Sequence, residues 1–188
     1  MTAPASLTAA EKAALLGIAR GTVLHLVGAA AAPPPLPTSG PLSAPRGAFV
    51  TLHVDGRLRG CIGTFSPRGS LAETVAAMAR AAATEDPRFP RLAPDELPGL
   101  SLSVSVLGLP HLLEDRSRIE VGVHGLLVRR DWNRGVLLPK VAVEEGWDGP
   151  TFLKHACLKA GLPAAAARDP GLVVEVFEAE EFGEEQPS

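Results

Sequence analysis

The feature that most constrains this chain is the dipeptide Asp55-Gly56, set between two runs rich in apolar and β-branched residues. Asp-Gly is favoured in two-residue β-turns, where both central residues need positive φ. The sequence therefore predicts a hairpin: Gly47 to Val54 runs out, and Arg57 to Phe65 returns. The return strand carries Gly60 and Gly63, which weaken a strand but permit a bulge or the close approach of another group to the backbone. Cys61 lies between these two permissive positions.

Around the hairpin the chain alternates helical and extended patterns. Thr8 and Glu11 fit a capping box, and apolar residues then recur at helical spacing from Leu15 to Val27, with Gly28 as a stop. Ala29 to Arg46 is dominated by Ala, Pro, Gly and Ser, with consecutive prolines at 33 to 35, and reads as an extended surface connection. Ser70 and Glu73 form a second capping-box pattern, opening a helix that ends before Asp86-Pro87. Pro94 is placed to start a short helix. Leu100, Leu102, Val104 and Val106 alternate with Ser101, Ser103 and Ser105, the pattern of an amphipathic strand.

Further strands are predicted over Val121 to Arg130 and Gly135 to Leu138, the second ended by Pro139. Asp148 and Pro150 open a helix with Phe152, Leu153, Ala156, Cys157 and Ala160 on one face, closed by Gly161 and Pro163. A last strand, Leu172 to Phe177, precedes an acidic tail over 178–188. Strands that arrive in hairpins, with helices between groups, predict an α+β fold whose sheet is antiparallel or mixed. The length of 188 residues suits a single domain, 1–188, or two intimate subdomains.

Composition narrows the function classes. Apolar residues make up 46% of the chain and charged residues 21%, which is globular. The net charge of -3 hides an asymmetry: Glu178, Glu180, Glu181, Glu184 and Glu185 are five of the 21 acids, and the other 16 face 18 bases. That balance, with no Tyr and few other aromatics, argues against nucleic-acid binding. The chain shows neither a membrane-length apolar run nor a signal-peptide pattern, so the expected location is the cytoplasm, away from membranes. Cys61 and Cys157 form neither a disulfide framework nor a zinc-ligand pair, and His25, His53, His111 and His155 show no metal-ligand spacing. No metal or cofactor is called for. The Gly56, Gly60 and Gly63 spacing lies in a hairpin and lacks the Gly-Lys-Ser/Thr ending of a phosphate loop.

The run Arg46-Gly47-Ala48-Phe49-Val50-Thr51-Leu52, followed by Leu58-Arg59-Gly60-Cys61-Ile62-Gly63-Thr64-Phe65, strongly resembles the AMMECR domain signature. Asp86-Pro87-Arg88-Phe89, Glu96-Leu97, Ser103 to Leu107, His124-Gly125-Leu126, Leu137-Leu138-Pro139 and Lys159 to Leu162 look like the family's later blocks, in order, so the resemblance covers nearly the whole chain. It implies a larger subdomain with an antiparallel sheet flanked by helices, a smaller β-rich subdomain, and signature blocks near their junction. Bacterial and archaeal members are grouped with a Memo-like protein, similar to non-haem iron dioxygenases, and with a radical-SAM protein; the resemblance implies a pathway shared with both. Lys140 stands where the family pattern has Gln, and Ala164 to Ala167 stand where relatives often carry Trp or another aromatic.

Cys61 is the one residue nominated as a nucleophile, since a thiolate beside Arg59 and glycine-exposed amides can be stabilised enough to react near neutral pH. The opposing reading makes it a small residue packed under the hairpin. Cys157, by helical phase, belongs to the core. Arg57, Arg59, Arg88 and Arg91 are candidates to converge on an anionic group, and equally to solvate an edge strand. Asp86 suits an orienting or turn-forming role better than proton transfer. His124 is a candidate cleft residue, although a lone histidine is more often structural. With Gly60 and Gly63 these residues make up the candidate binding set. Two functional readings stay open: a cysteine-containing pocket that binds or modifies an anionic small molecule or a protein side chain, and a non-catalytic adaptor that docks onto the Memo-like or radical-SAM protein.

Overall fold

The computed structural model describes residues 6–184. The fold is α+β, with antiparallel sheets flanked by helices and a smaller β-rich subdomain. Two units are distinguished: residues 6–107 with 180–184, and residues 108–179.

In the first unit α1 spans Ala9–Leu26. The Thr8 hydroxyl accepts the Glu11 N–H at 3.3 Å and the Glu11 carboxylate accepts the Thr8 N–H at 2.7 Å, so the expected capping box is formed in both directions. Past the helix Gly28 takes φ 77°, a left-handed conformation that costs glycine nothing. No α-helix or strand interrupts 29–46; only a short 3-10 turn at Pro41–Ser43 lets Leu42 reach the core. Strands β1 (Ala48–Val54) and β2 (Arg57–Thr64) are joined by Asp55 and Gly56 at φ 50° and 73°, the two positive values such a turn requires. α2 (Leu71–Thr84) opens on the Ser70/Glu73 capping box, and β3 (Leu100–Leu107) follows a 3-10 turn at Pro94–Gly99.

The sheet order is β2-β1-β3-β8, where β8 is Ala179–Gly183. Period-two alternation directs Ala48, Val50 and Leu52 of β1, and Leu102, Val104 and Val106 of β3, toward Leu15, Ile18, Ala19 and Val23 of α1 and Leu71, Val75, Ala79 and Ala82 of α2. These buried aliphatics form one core.

Two expectations change here. In β3 only Ser103 is partly exposed; Ser101 and Ser105 are buried, so the serine face is not a solvent face. Alternation marks which residues share a face, and small hydroxyls can be buried when their partners are near: Ser101 stands opposite His53, and Ser105 opposite Phe49. The acidic segment is also no tail as far as Glu184. Residues 179–183 form a strand because Glu180 pairs with Lys12 at 2.7 Å and Glu184 with Arg20 at 2.6 Å, both on α1. The rest of the segment, 185–188, lies outside the described residues.

In the second unit β4 (His111–Leu112), β5 (Gly125–Arg130), β6 (Asn133–Leu137) and β7 (Val173–Phe177) form a sheet of order β4-β7-β5-β6. Its helices are α3 (Pro139–Glu144) and α4 (Gly149–Lys159). The Asp148 carboxylate caps α4 by accepting the Thr151 N–H at 2.8 Å, and Phe152, Leu153, Ala156 and Cys157 pack with Leu126, Val128, Val174 and Val176. Val121 to His124 form a turn rather than the start of a strand, with Gly122 at φ 85°. Pro139 ends the extended run as expected, but it does so as the first residue of a helix, where its missing N–H costs nothing. Ala164 to Ala167 lie in a 3-10 turn with Ala166 buried, and Lys140 sits in the first turn of α3.

Glycine spacing yields a paired prediction. A Cβ at Gly60 collides with the carbonyl oxygen of Ala82 in α2, whereas one at Gly17, exposed on α1, meets nothing within 4 Å. Gly60→Ala is expected to lower stability by about 2–3 kcal/mol through overpacking. Gly17→Ala is expected to raise it by about 0.5–1 kcal/mol through helix propensity. Urea titration of both variants reads the difference.

Candidate functional site

β2 is an edge strand, and the site is built from how its outward side is satisfied. Cys61 stands opposite Thr51 of β1. The Cys61 N–H donates at 2.9 Å to Oδ2 of Asp86, a residue placed two positions after the end of α2. Asp86 is 4% exposed. It also accepts from the Arg88 backbone N–H at 3.1 Å and from the Arg88 guanidinium through Nε at 2.9 Å and Nη2 at 2.7 Å. Four charge-assisted bonds on one buried carboxylate make this a fixed point. The Arg88 guanidinium, opposed by burial and helped by the two backbone N–H groups, holds the Asp86 carboxyl well below the usual carboxylate range. A carboxylate so held is a poor proton acceptor, which agrees with an orienting role.

Arg59, two residues before Cys61, reaches the loop after α2. Its Nε and Nη2 donate to the two oxygens of Glu96 at 2.6 and 3.0 Å; Nη1 donates to the Pro90 carbonyl at 2.8 Å, and Nη2 also to the Arg91 carbonyl at 3.2 Å. Glu96 in turn caps its own short helix by accepting the Ala93 N–H at 2.9 Å. Phe89 lies beside both arginines, its ring centre 5.8 Å from the Arg59 guanidinium carbon and 5.4 Å from that of Arg88. The arginines differ in what they have left to offer. Four of the five N–H donors of Arg59 are engaged and its side chain is 11% exposed, while Arg88 is 54% exposed and keeps three donors unengaged beyond Asp86. Arg57 and Arg91 are exposed.

Cys61 is half-buried. The Thr51 hydroxyl donates to Sγ at 3.3 Å. On the same sheet face, one pair along, the ring of Phe49 covers Gly63 so closely that a Cβ there would collide with it. Gly60 points the other way, toward α2. Cys157 is fully buried, and desolvation pushes its thiol upward.

Of the expected site residues, Arg59, Gly60, Cys61, Gly63, Asp86 and Arg88 come together in the first unit. His124 belongs to the second. Its Nδ1 accepts the Glu120 N–H at 3.1 Å, so the neutral ring carries its proton on Nε2. It lies with His111, Glu114, Asp115 and Arg118 around a groove of about 390 Å³. Sequence reasoning missed the roles of Thr51, Phe49 and Glu96; each lies in a quoted block, but only the fold reveals its partner. Among the described residues no three His, Cys, Asp or Glu side chains are grouped to hold a metal ion, and no helix is long and apolar enough to cross a membrane.

The comparisons with known proteins cover most of the chain. A family model described as AMMECR1 matches residues 16–182. A protein of Methanopyrus kandleri is 43% identical over 190 residues, spanning 96% of this chain and 92% of that protein. One from Methanothermobacter thermautotrophicus is 48% identical over 146 residues, spanning 74% and 76%. The crystal structure of an uncharacterised protein from Pyrococcus horikoshii superposes with a TM-score of 0.84 at 38% identity, covering 94% of this chain and 92% of that one.

The Asp86 hub has a pH signature. Its carboxyl is depressed in the folded state, so its contribution to stability is present above the unfolded value of about 3.9 and is lost as pH falls below it toward the folded value. Asp86→Asn, which keeps an acceptor for the Cys61 N–H, is expected to cost about 1–3 kcal/mol at pH 7. The gap from the parent should shrink steadily between about pH 5 and pH 2, as read by urea unfolding.

Proposed function

This chain belongs to the AMMECR1 family, and from that membership we propose that its working group is the Cys61 thiol. The thiol is offered to an anionic small molecule, or to a side chain of a partner protein, within a cytoplasmic pathway shared with Memo-like and radical-SAM proteins. One observation carries the reading: Cys61 is a partly exposed residue whose Sγ receives the Thr51 hydroxyl, while the only other thiol is sealed in a core. The Thr51 hydroxyl orients the sulfur, and the thiolate is the form that reacts. Arg88 supplies the cation. Its inner edge is held by Asp86 and its outer edge is open, the geometry for receiving an anionic group near the thiol. Arg59 serves instead to brace β2 against the loop after α2.

A second reading, the non-catalytic adaptor, is favoured by one specific absence. Among the described residues Thr51 is the hydrogen-bond partner of Sγ, and neither a histidine nor a carboxylate bonds to it to act as a base. In that reading the same surface docks onto the Memo-like or the radical-SAM protein, and Cys61 is a packing residue.

Alkylation of the native protein with iodoacetamide from about pH 6 to 9, followed by peptide mass spectrometry, separates them. The thiol reading expects Cys61 to label at least about tenfold faster than Cys157, and expects Thr51→Val to slow that labelling. Equal protection of the two cysteines removes the nucleophile. In binding assays against purified Memo-like and radical-SAM proteins, the adaptor reading then expects Arg88→Ala to weaken association while Cys61→Ser leaves it unchanged.

A further inference from the structure

Where β2 ends at Thr64, the chain turns through Ser66 to Gly69 and enters α2. Glu73, Thr74, Ala77 and Met78 follow at i, i+1, i+4 and i+5, which places them along one side of the helix. Between this side and the turn lies a cavity of about 390 Å³, within the size range of small-molecule sites. Cys61 does not line it; its side chain points to the sheet face opposite Gly60 and α2.

The lining is chemically two-ended. Ala77 and Met78 give an apolar floor, Glu73 a carboxylate and Arg68 a guanidinium. The Glu73 carboxylate is exposed and is held in the capping box, its Oε2 accepting the Ser70 N–H at 2.7 Å; no ion pair neutralises it among the described residues. Arg68 is exposed and, among the described residues, forms no hydrogen bond or ion pair, with Glu73 or with anything else. The Thr64 hydroxyl accepts the Ser66 N–H at 3.1 Å, which leaves its own proton free to donate. Opposite charges that line one cavity without closing on each other leave a gap that a molecule carrying both charges would fill. A simple cation would use only Glu73, and a simple anion only Arg68.

We propose that this cavity is a binding site for a small zwitterion of amino-acid type with an apolar side chain. The fixed Glu73 carboxylate takes the ammonium, Arg68 folds in on the carboxylate, and the side chain lies on Ala77 and Met78. The site stands apart from the Cys61 reading and is tested without it.

Met1 and Met78 are the only methionines, so 13C-methyl-methionine labelling of the full chain gives two NMR signals, one of them at the cavity floor. Titration with L-leucine and with the dipeptide Leu-Leu, against isoamylamine and isovalerate as single-charge controls, is expected to move the Met78 signal saturably with at least one of the zwitterions. The two zwitterions distinguish a free amino acid from a peptide as the source. Affinity should fall about tenfold or more for each control compound, and to a similar degree in Arg68→Ala and in Glu73→Gln. Glutamine serves in a capping box as glutamate does, so an unchanged melting temperature in Glu73→Gln separates binding from folding. A Met78 signal that moves with neither zwitterion, that moves as readily with either control, or that titrates identically in Arg68→Ala overturns the proposal.

Discussion

The first unit depends on how its edge strand is closed. An edge strand presents a row of unpaired backbone groups, and β2 is such a strand. Its remedy is one buried carboxylate. Asp86 takes the Cys61 N–H and is itself held by Arg88, so the segment after α2 is tied to β2 by a charged acceptor rather than by another strand. Arg59 repeats the device from the strand side, binding Glu96 and two carbonyls of the same segment. Leu92, buried in the core with its N–H donating to the Ala83 carbonyl at 2.8 Å, and Leu97 anchor the same 86–99 loop from within, while the two ion pairs fasten it to the edge. Without those ion pairs the strand that carries Cys61 would lose its outer support.

Local devices in this chain were legible from sequence, and distant ones were not. Both capping boxes, the Asp55-Gly56 turn and the stop at Gly28 depend on residues within a few positions of one another, so their chemistry is written in the spacing. Cys157 could be assigned to the core because helical phase placed it beside Phe152 and Leu153. Arg59 was legible as a cation near Cys61 but not as a brace, since its partner Glu96 lies 37 residues away and becomes a neighbour only when the loop folds back. The same holds for the Thr51 hydroxyl, ten residues from the sulfur it faces. Pro139 was legible as the end of a strand but not as the start of α3, because proline ends a strand and begins a helix with equal ease and only the following turn decides.

The acidic C-terminal segment shows how a charge count loses information. Read alone, five acids without a base look solvated. In the fold, burial, the largest single influence on Glu180, pushes its carboxyl up, yet Lys12, the Ser6 hydroxyl and the Leu7 N–H together bring it down to about 2. Glu184 accepts two bonds from Arg20 at 2.6 Å each and one from the Leu102 N–H at 2.9 Å. Partners 82 to 174 residues away in sequence turn Glu180 and Glu184 into the clamps that fasten β8 and α1 to one sheet. Net charge could therefore speak about partners in solution, but not about this strand.

The glycines around Cys61 fix which way the thiol faces. Side chains on a strand alternate, so a slip of one residue would exchange the two faces of β2. Gly60 is needed where α2 brings the Ala82 carbonyl against the strand, and Gly63 where the Phe49 ring lies on the opposite face. In the slipped register Cys61 would meet the Ala82 carbonyl, and a side chain would stand where Phe49 lies. Both contacts penalise the slip, one on each face. The sulfur is thereby held on the side of Thr51 and Phe49, away from α2, by two positions that contribute no side chain at all. That explains why the segment Gly60-Cys61-Ile62-Gly63 can give up strand propensity: the glycines weaken the strand locally, while the packing they permit specifies where its thiol points.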